Sequence, residues 1–266
     1  MRKIVLLIGI TCLFGSILPH FTSAEIDPEK AAGIWLFDEG AGNDVEDLSG
    51  KENHGAITGA KWVEGRFGDG LEFNGGQSVE IASTPDLQLG DEHTMMAWLY
   101  VTNIAEHRQL IAKNNEYLLR VDRAGEGNKM SAFVNIGGWE PRASSVVPET
   151  DKWIHFATTY DSGANADQLV VYVNGERKGS STRPGNGTGN NDPVTIGRWG
   201  GGSFFVGIID EVAIFKSVLT EDDLQTIMEH GLEKTIKGIA AVEATNKLAT
   251  TWGTLKQKHS IRRVSN

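Results

Sequence analysis

The apolar residues of this chain fall in short runs, and Gly, Asn and Asp separate one run from the next. Gly is abundant, with 32 residues in a chain of 266. This pattern is typical of many strands joined by tight turns, so we predict an all-β fold. The predicted strands are Gly33 to Phe37, Leu71 to Phe73, Val79 to Ile81, Thr94 to Val101, Gln109 to Ala112, Tyr117 to Val121, Lys129 to Val134, Trp153 to Tyr160, Leu169 to Val173, Val194 to Ile196 and Phe205 to Phe215. So many strands require two sheets or a closed barrel.

Two segments give the clearest local predictions. In the strand from Trp153 to Tyr160, the even positions carry Ile, Phe, Thr and Tyr, so this face is the better core face. The strand from Leu169 to Val173 is followed by Asn174 and Gly175. Because an Asn-Gly pair is the strongest short signal for a hairpin turn, we predict a hairpin with these two residues at its tip.

One helix is predicted near the C-terminus. Thr220 can cap its first turn, and the three acidic residues at 221–223 favour a helix N-terminus. Leu224, Ile227 and Met228 then form an apolar stripe before Gly231, which is a typical helix end. We expect this helix to dock on the body of the fold.

The N-terminus has the pattern of a secretory signal. Arg2 and Lys3 precede an apolar run that ends near Leu18, and small residues follow up to Ala24. The only cysteine, Cys12, lies inside this segment, so the mature chain is expected to lack disulfides. We therefore predict a signal peptide at 1–24, one sandwich domain at 25–232 and a C-terminal extension at 233–266. Export would lead to the periplasm or to the extracellular space, and both remain open.

The charge balance excludes two classes of partner. The formal net charge is −10 and the sequence pI is near 5.2. A general positive field is what binds nucleic acid or an anionic membrane, so neither partner is expected. No later apolar run approaches the roughly 18 residues that a membrane-spanning helix needs, so we predict a soluble protein without membrane insertion.

Six sequence blocks, taken in order, carry a resemblance to a known family. They are WLFDEGAGNDVEDLSGKENHG, GRFGDGLEFNGG, TMMAWLYV, WIHFATTYD, LVVYVNGE and VGIIDEVAIFKSVLTEDDL. Together they resemble the laminin-G-like jelly-roll domains of the concanavalin A-like lectin and glucanase superfamily. The resemblance implies two curved antiparallel sheets, often one bound calcium, and binding of carbohydrate or protein outside the cell. The predicted fold is thus an all-β, two-sheet antiparallel jelly-roll sandwich with one short C-terminal helix.

An acidic loop and one strand carboxylate suggest a calcium site. The loop from Asp44 to His54 is rich in side-chain oxygens, which attract hard cations such as calcium. Strand alternation places Asp210 on the same side as Val212 and Ile214, so its carboxylate must be paired or bound to a metal.

Two interpretations of this carboxylate remain open. In the first, a structural calcium is held by Asp47, Asn53 and Asp210. In the second, Asp210 accepts backbone N–H bonds from the acidic loop and no ion is present. Both interpretations place Asp210 against that loop.

Two Gly-rich loops contain the candidate ligand residues. Trp139 lies in GGWEPR and Trp199 lies in GRWGGG, where an exposed ring could stack on a sugar. Arg142, Arg198 and Asn114 are the polar residues expected to contact the same ligand. The alternative is that both Trp residues plug the ends of the core. The tryptophans in or beside strands are assigned to packing, namely Trp35, Trp62, Trp98 and Trp153.

No motif of a hydrolase is present in the sequence. Related sandwich glucanases alternate their carboxylates along one strand, as Glu-x-Asp-x-x-Glu or Glu-x-Asp-x-Glu, and no such run occurs here. Four histidines are scattered through the domain without the spacing of zinc ligands, namely His54, His93, His107 and His155. We therefore predict a secreted non-catalytic module that binds a glycan or a glycosylated surface partner. The alternatives are a protein-interaction module without sugar binding and, third, a glycoside hydrolase with carboxylates distant in sequence.

Overall fold

The computed structural model describes residues 26–238. The predicted signal peptide at 1–24 and residues 239–266 of the predicted extension lie outside the described residues. Within 26–238, no helix is long and apolar enough to cross a membrane.

Sixteen strands and one α-helix make up the named elements, together with three short 3-10 helices. The strands are β1 (Ala31–Trp35), β2 (Asp44–Val45), β3 (Gly55–Thr58), β4 (Lys61–Glu64), β5 (Asp69–Asn74), β6 (Ser78–Ile81), β7 (Glu92–Val101), β8 (Arg108–Lys113), β9 (Tyr117–Val121), β10 (Met130–Val134), β11 (Ala143–Ser144), β12 (Trp153–Asp161), β13 (Leu169–Val173), β14 (Glu176–Ser181), β15 (Val194–Ile196) and β16 (Val206–Phe215). The helix is α1 (Glu221–His230), and a further helical segment occupies 232–238.

The strands form two antiparallel sheets of eight strands each, which face one another as a sandwich. The first sheet has the order β14-β13-β12-β7-β16-β5-β4, with β1 beside β16. The second sheet has the order β11-β10-β9-β8-β15-β6-β3-β2. Half of the neighbouring pairs join strands that are not consecutive in the chain, as expected when a chain passes between two layers. The predicted fold class is confirmed.

The main core lies between the sheets. It includes Phe156 and Tyr160 of β12 from the first sheet and Leu119 and Val121 of β9 from the second. The even positions of β12 thus face the core, as the sequence predicted. The odd positions His155, Ala157 and Thr159 are also buried, and Ala157 packs in a second apolar cluster on the outer face of the first sheet.

Helix α1 covers part of that outer face. Leu224 and Ile227 pack on Met96, Ala157 and neighbouring residues of the first sheet. Thr220 caps the helix and forms a capping box with Asp223, as the sequence indicated. The following segment, 232–238, runs to the end of the described residues, so two short helices close this side of the sandwich where one was predicted.

The predicted hairpin is present. Strands β13 and β14 pair with Val173 opposite Glu176, which leaves Asn174 and Gly175 as a two-residue turn. Both turn residues have positive φ, at 50° and 74°. This is the backbone of a type I′ turn, and Asn-Gly adopts it with little strain.

Candidate functional site

Trp139 and Trp199 meet on the outer face of the second sheet. Their ring centroids are 6.1 Å apart and the rings are nearly perpendicular, at 83°. Trp139 lies in the loop between β10 and β11, and Trp199 lies in the loop between β15 and β16. Both side chains are partly buried. Two loops that are far apart in sequence therefore present one aromatic pair.

The pair stands on a small apolar cluster that is separate from the main core. Its buried members are Ala112, Leu118 and Phe133, and both tryptophans pack against them. Trp139 meets the Phe133 ring edge to face at 6.4 Å. The prediction that these tryptophans plug the ends of the core does not describe this arrangement, since they cover the outer side of a sheet.

Phe133 was not among the candidates from the sequence, although strand alternation could have found it. In β10, Met130, Ala132 and Val134 face the main core. Phe133 falls out of phase with them and points to the outer face, where it supports Trp139. A large aromatic residue on the non-core face of a strand is a signal for a second apolar surface.

Arg142 lies beside this cluster within a charged network. Its guanidinium is 5.4 Å from the Phe133 ring centroid, and Arg120 lies at 4.6 Å from the same centroid. Arg142 Nη1 contacts Glu126 at 3.0 Å and Glu140 at 2.9 Å. These contacts fix the direction of the guanidinium beside Trp139.

Arg198 and Asn114 line a hollow beside the loop that carries Trp199. The hollow has a volume of about 250 Å³ and is also lined by Pro193, Thr195 and Gly200. Arg198 contacts Glu80 through Nη2 at 2.5 Å. Its Nε is buried without a hydrogen-bond partner in the described part of the chain. The structure thus brings all five candidate ligand residues to the outer side of the second sheet.

The candidate metal ligands do not assemble in the same way. Asp47 Oδ1 accepts hydrogen bonds from the backbone N–H groups of Ile34 and Ser49, each at 2.9 Å. Asp47 Oδ2 accepts from the Ser49 hydroxyl at 2.8 Å and from the Asn53 N–H at 2.9 Å. Asn53 Nδ2 donates to the Ala32 carbonyl at 2.7 Å. This loop is held to β1 by its own side chains, and protein donors already occupy both carboxylate oxygens.

Asp210 has a different set of partners. Its Oδ2 accepts from the backbone N–H groups of Arg66 and Phe67, at 2.7 and 2.9 Å. Its Oδ1 accepts from the Glu211 N–H at 2.7 Å. The loop of Asp47 lies instead beside Ile34, which pairs with Ala213 farther along β16. Asp210 therefore forms no joint ligand set with Asp47 and Asn53, and the three residues as placed here do not fit a calcium ion.

The alternation predicted for Asp210 was also wrong. Val212 faces the main core, whereas Asp210 pairs with Trp98, which lies on the outer face of β7. The reason is a β-bulge between Asp210 and Ala213, where Glu211 has a φ of 46°. The extra residue reverses the phase of the strand.

The bulge places two buried carboxylates side by side. Burial raises the pKa of Asp210 to about 7, against the opposing hydrogen bonds from Phe67, Arg66 and Glu211. Burial likewise raises the pKa of Glu211 to about 8, although the Leu232 N–H donates to it. Each carboxylate anchors a separate segment, since Asp210 holds the turn at 65–68 and Glu211 holds the start of the helical segment at 232.

One group of acidic and histidine side chains in residues 26–238 has the spacing of metal ligands, namely His107, Asp122 and Glu126. Arg120 reaches between the two carboxylates, with Nε at 2.7 Å from Asp122 and Nη2 at 2.6 Å from Glu126. Arg142 approaches the other Asp122 oxygen, Oδ2, at 3.4 Å and shares the Glu126 oxygen with Arg120 at 3.0 Å. Two guanidinium groups already neutralise these carboxylates, so the group does not fit a divalent cation.

Comparisons with known proteins agree with this architecture. A family model of laminin-G type, described as the concanavalin A-like lectin/glucanases superfamily, matches residues 73–225. The chain belongs to this superfamily. A search of curated proteins finds no match to the sequence.

Solved structures show the same laminin-G-like fold at low sequence identity. Domain 4 of AbnA, an extracellular arabinanase from Geobacillus stearothermophilus, was determined in complex with arabinotriose. It is 23% identical, with 75% of this chain and 98% of that chain covered and a TM-score of 0.61. The binding domain of Paraclostridial Mosquitocidal Protein 1 is 15% identical, with 76% and 52% covered and a TM-score of 0.60. Trypanosoma rangeli sialidase is 16% identical, with 75% and 32% covered and a TM-score of 0.57.

Proposed function

We propose that this laminin-G-like domain is an exported, non-catalytic module that binds carbohydrate at the surface formed by Trp139 and Trp199. The observation that carries the proposal is the aromatic pair itself. Two partly exposed indoles stand edge to face on a sheet surface, supported by a small apolar cluster outside the main core. Rings fixed in this way offer an apolar face to a sugar at little cost in side-chain entropy.

Polar groups around the pair supply the contacts that sugar hydroxyls need. Arg142 lies on the Trp139 side, and Arg198 and Asn114 line the hollow on the Trp199 side. Trp199 Nε1 and Arg198 Nε are buried donors without partners in the described residues. An unpaired buried donor costs free energy. A ligand oxygen that accepted a hydrogen bond from either group would remove this cost and so favour binding.

The solved relatives support a binding role by analogy. The arabinanase domain binds arabinotriose, and the mosquitocidal protein matches through its binding domain. Identities of 23% and 15% carry the fold rather than the ligand, so arabinotriose is the first probe and not the assigned ligand.

A catalytic role is disfavoured by the environment of the two perturbed carboxylates. Raised carboxyl pKa values often mark active sites. Here, however, Asp210 and Glu211 are buried at 0% and 4% exposure, and backbone N–H groups occupy their oxygens. They act as anchors for loops, and we propose no reaction for them. We also propose no calcium at this surface. The carboxylates that contact Arg142 and Arg198 are already paired with those arginines.

The proposal is tested by calorimetric titration with arabinotriose, xylotriose, cellotriose and chitotriose. Replacing both Trp139 and Trp199 by Ala should weaken binding at this surface at least about tenfold. Trp62→Ala is the matched control, since Trp62 is a partly buried tryptophan on β4 of the first sheet. The control should lower stability without changing affinity.

Three other outcomes would decide between the functions. Unchanged affinity in the folded double variant would exclude this surface. Capture of a stoichiometric protein partner with no binding of any sugar would favour the protein-interaction module. Release of reducing sugar from a polysaccharide would establish a hydrolase.

A further inference from the structure

We propose that the first sheet carries a second glycan-binding groove, which takes a neutral oligosaccharide and is centred on Trp153. This groove lies on the opposite layer of the sandwich from Trp139 and Trp199, and its existence does not depend on theirs. The sequence assigned Trp98 and Trp153 to packing, and the structure places both on the outer face of the sheet.

The outer face of β7 and β12 is covered in successive rows. Cross-strand pairs there are Met96 with Ala157, then Trp98 with His155, then Tyr100 with Trp153. The apolar cluster under α1 contains the first pair only. The other two rows lie outside this cluster, and Tyr100 and Trp153 in the last row are partly exposed. Aromatic residues thus extend from the border of the α1 cluster to the ends of β7 and β12.

A groove of about 480 Å³ opens over these rows. It is lined by Arg66, Trp98, Trp153, Asn174, Met228 and Glu229. These residues come from the β4–β5 turn, from β7 and β12, from the β13–β14 turn and from α1. Five separate parts of the chain therefore contribute to this groove, which has two indole rings in its floor.

A second hollow of about 360 Å³ continues from the first and shares Trp153 and Asn174 with it. It leads to Val146 and Val147, which are exposed at 49% and 46%. Trp153 thus stands between two hollows, and its ring is held edge to face against Tyr100 at 5.7 Å. This shape fits a chain of at least two sugar rings, with one ring on each side of Trp153.

Polar atoms in the row of Trp98 and His155 lack partners. Trp98 lines the groove and is 4% exposed, and its Nε1 is a donor without a hydrogen-bond partner in residues 26–238. His155, which pairs with Trp98 across the strands, is 1% exposed, and its Nδ1, a donor or an acceptor according to the tautomer, is also without a partner there. The Arg66 guanidinium lies over the Trp98 ring at 4.8 Å, and none of the ion pairs within residues 26–238 involves Arg66. Hydroxyl oxygens of a sugar would satisfy such donors.

The two hollows are lined by equal numbers of cationic and acidic side chains, which favours an uncharged ligand. The cations are Arg66, Lys152 and Lys178. The carboxylates are Glu229, Glu149 and Glu176. Lys152 pairs with Glu149, and Lys178 pairs with Glu176. A polyanion would gain no net attraction from this lining, so the groove suits an uncharged oligosaccharide.

The test separates the two surfaces by working in two backgrounds. Affinities for cellotriose, xylotriose and arabinotriose are measured by calorimetry with the native chain and with the Trp139→Ala, Trp199→Ala double variant. In both backgrounds Trp153→Ala should weaken the groove's binding at least about tenfold, and Arg66→Ala about threefold or more. Arg66→Ala keeps the backbone N–H that Asp210 needs.

Arg177→Ala is the matched control for Arg66→Ala. Arg177 is an exposed arginine on β14 that pairs with Asp167 and lines neither hollow. It should leave the affinity unchanged. Should Trp153→Ala fail to fold, Trp153→Phe with Arg66→Ala gives the same reading, because a smaller ring should lose part of the affinity.

The outcomes distinguish this groove from the proposed function. Residual binding in the double variant that disappears on Trp153→Ala supports the groove, even if the double variant itself changes nothing. If the double variant abolishes binding while Trp153→Ala and Arg66→Ala leave it unchanged, the proposal of a groove at Trp153 is wrong. The proposed surface at Trp139 and Trp199 is then supported. Tighter binding of trigalacturonate than of every neutral trisaccharide overturns the neutral ligand class.

Discussion

Glu211 accepts the backbone N–H of Leu232 through both carboxylate oxygens, at 3.1 Å each. This contact joins the bulge in the last strand of the first sheet to the start of the helical segment 232–238. The adjacent Asp210 holds the turn at 65–68. The Ile-Asp-Glu-Val block is therefore a structural anchor for two separate segments of the domain.

Glu211→Ala should destabilise the domain by about 2 kcal/mol, because it leaves the buried Leu232 N–H without an acceptor. Glu211→Gln keeps one oxygen acceptor and should cost less. Urea unfolding followed by tryptophan fluorescence measures both changes. Glu64→Ala, at an exposed position of β4, is the control and should stay within about 0.5 kcal/mol of the native chain. Equal effects at both positions would contradict the anchor.

The stability of the domain should fall as pH rises from about 4 to 8, the interval between the unfolded and folded pKa values of two buried carboxyls. Burial raises the pKa of Asp210 from 3.8 to about 7 and that of Glu211 from 4.5 to about 8. A carboxyl with a raised folded-state pKa contributes stability that is present below its unfolded value and is lost as pH rises through the folded value. The melting temperature measured from pH 4 to 9 shows this decline, and Glu211→Gln should reduce it. If the melting temperature of Glu211→Gln falls with rising pH as steeply as that of the native chain, other groups cause the decline.

Two buried histidines should produce the opposite effect in acid. Burial lowers the pKa of His93 from 6.5 to about 3 and that of His155 to about 4. The folded state keeps them neutral, so their contribution is present above pH 6.5 and is lost as pH falls towards 4 and 3. His93→Gln should flatten the acid side of the melting curve between pH 6.5 and 4. An unaltered acid slope in a folded His93→Gln variant would refute this assignment.

Chelation of calcium should leave the melting temperature unchanged. Asp47 already accepts four hydrogen bonds from Ile34, Ser49 and Asn53, so its oxygens need no ion. Asp47→Ala should instead cost about 3 kcal/mol in both calcium and chelator, since buried donors lose their acceptor. Differential scanning calorimetry in the two buffers checks both statements. A melting temperature that rises with calcium and loses that dependence in Asp47→Ala would restore the calcium site.

Gly65→Ala should destabilise the domain by about 2 kcal/mol or more through overpacking. A Cβ at position 65 would lie 2.2 Å from the backbone carbonyl oxygen of Asp69 and 2.7 Å from Asp210 Oδ2. Gly76→Ala is the control, because a Cβ there meets no atom within 4 Å. Chemical unfolding of the two variants gives the comparison. Equal stability of the two would show that the turn at 65–68 can move away from Asp210.

Local sequence rules predicted the elements that depend on few residues. Thr220 caps its helix, and Asn174 with Gly175 turns its hairpin, because each signal acts within four residues. The two-residue strands β2 and β11 escaped prediction, since each exists only through pairing with a partner strand. Length and propensity carry no information about such pairing.

The candidate site residues could likewise be predicted only where a local sequence signal exists. The outward direction of Asp210 could not be predicted, because the bulge depends on a positive φ at Glu211, a residue with no special preference for it. Trp153 was assigned to packing because a strand pattern does not reveal where α1 stops covering the sheet. The loop tryptophans were identified because Gly-rich surroundings in the sequence indicate surface loops.

The edge strands of the two sheets determine whether neighbouring copies of this domain can pair strand to strand. The second sheet ends in β2 and β11, which have only two residues each. The first sheet ends in β4 and β14, and β14 exposes Glu176, Arg177 and Lys178 in succession. Short or charged borders give a foreign strand little backbone to pair with. Two copies of the domain that meet edge to edge therefore have little exposed backbone through which to extend their sheets into fibres.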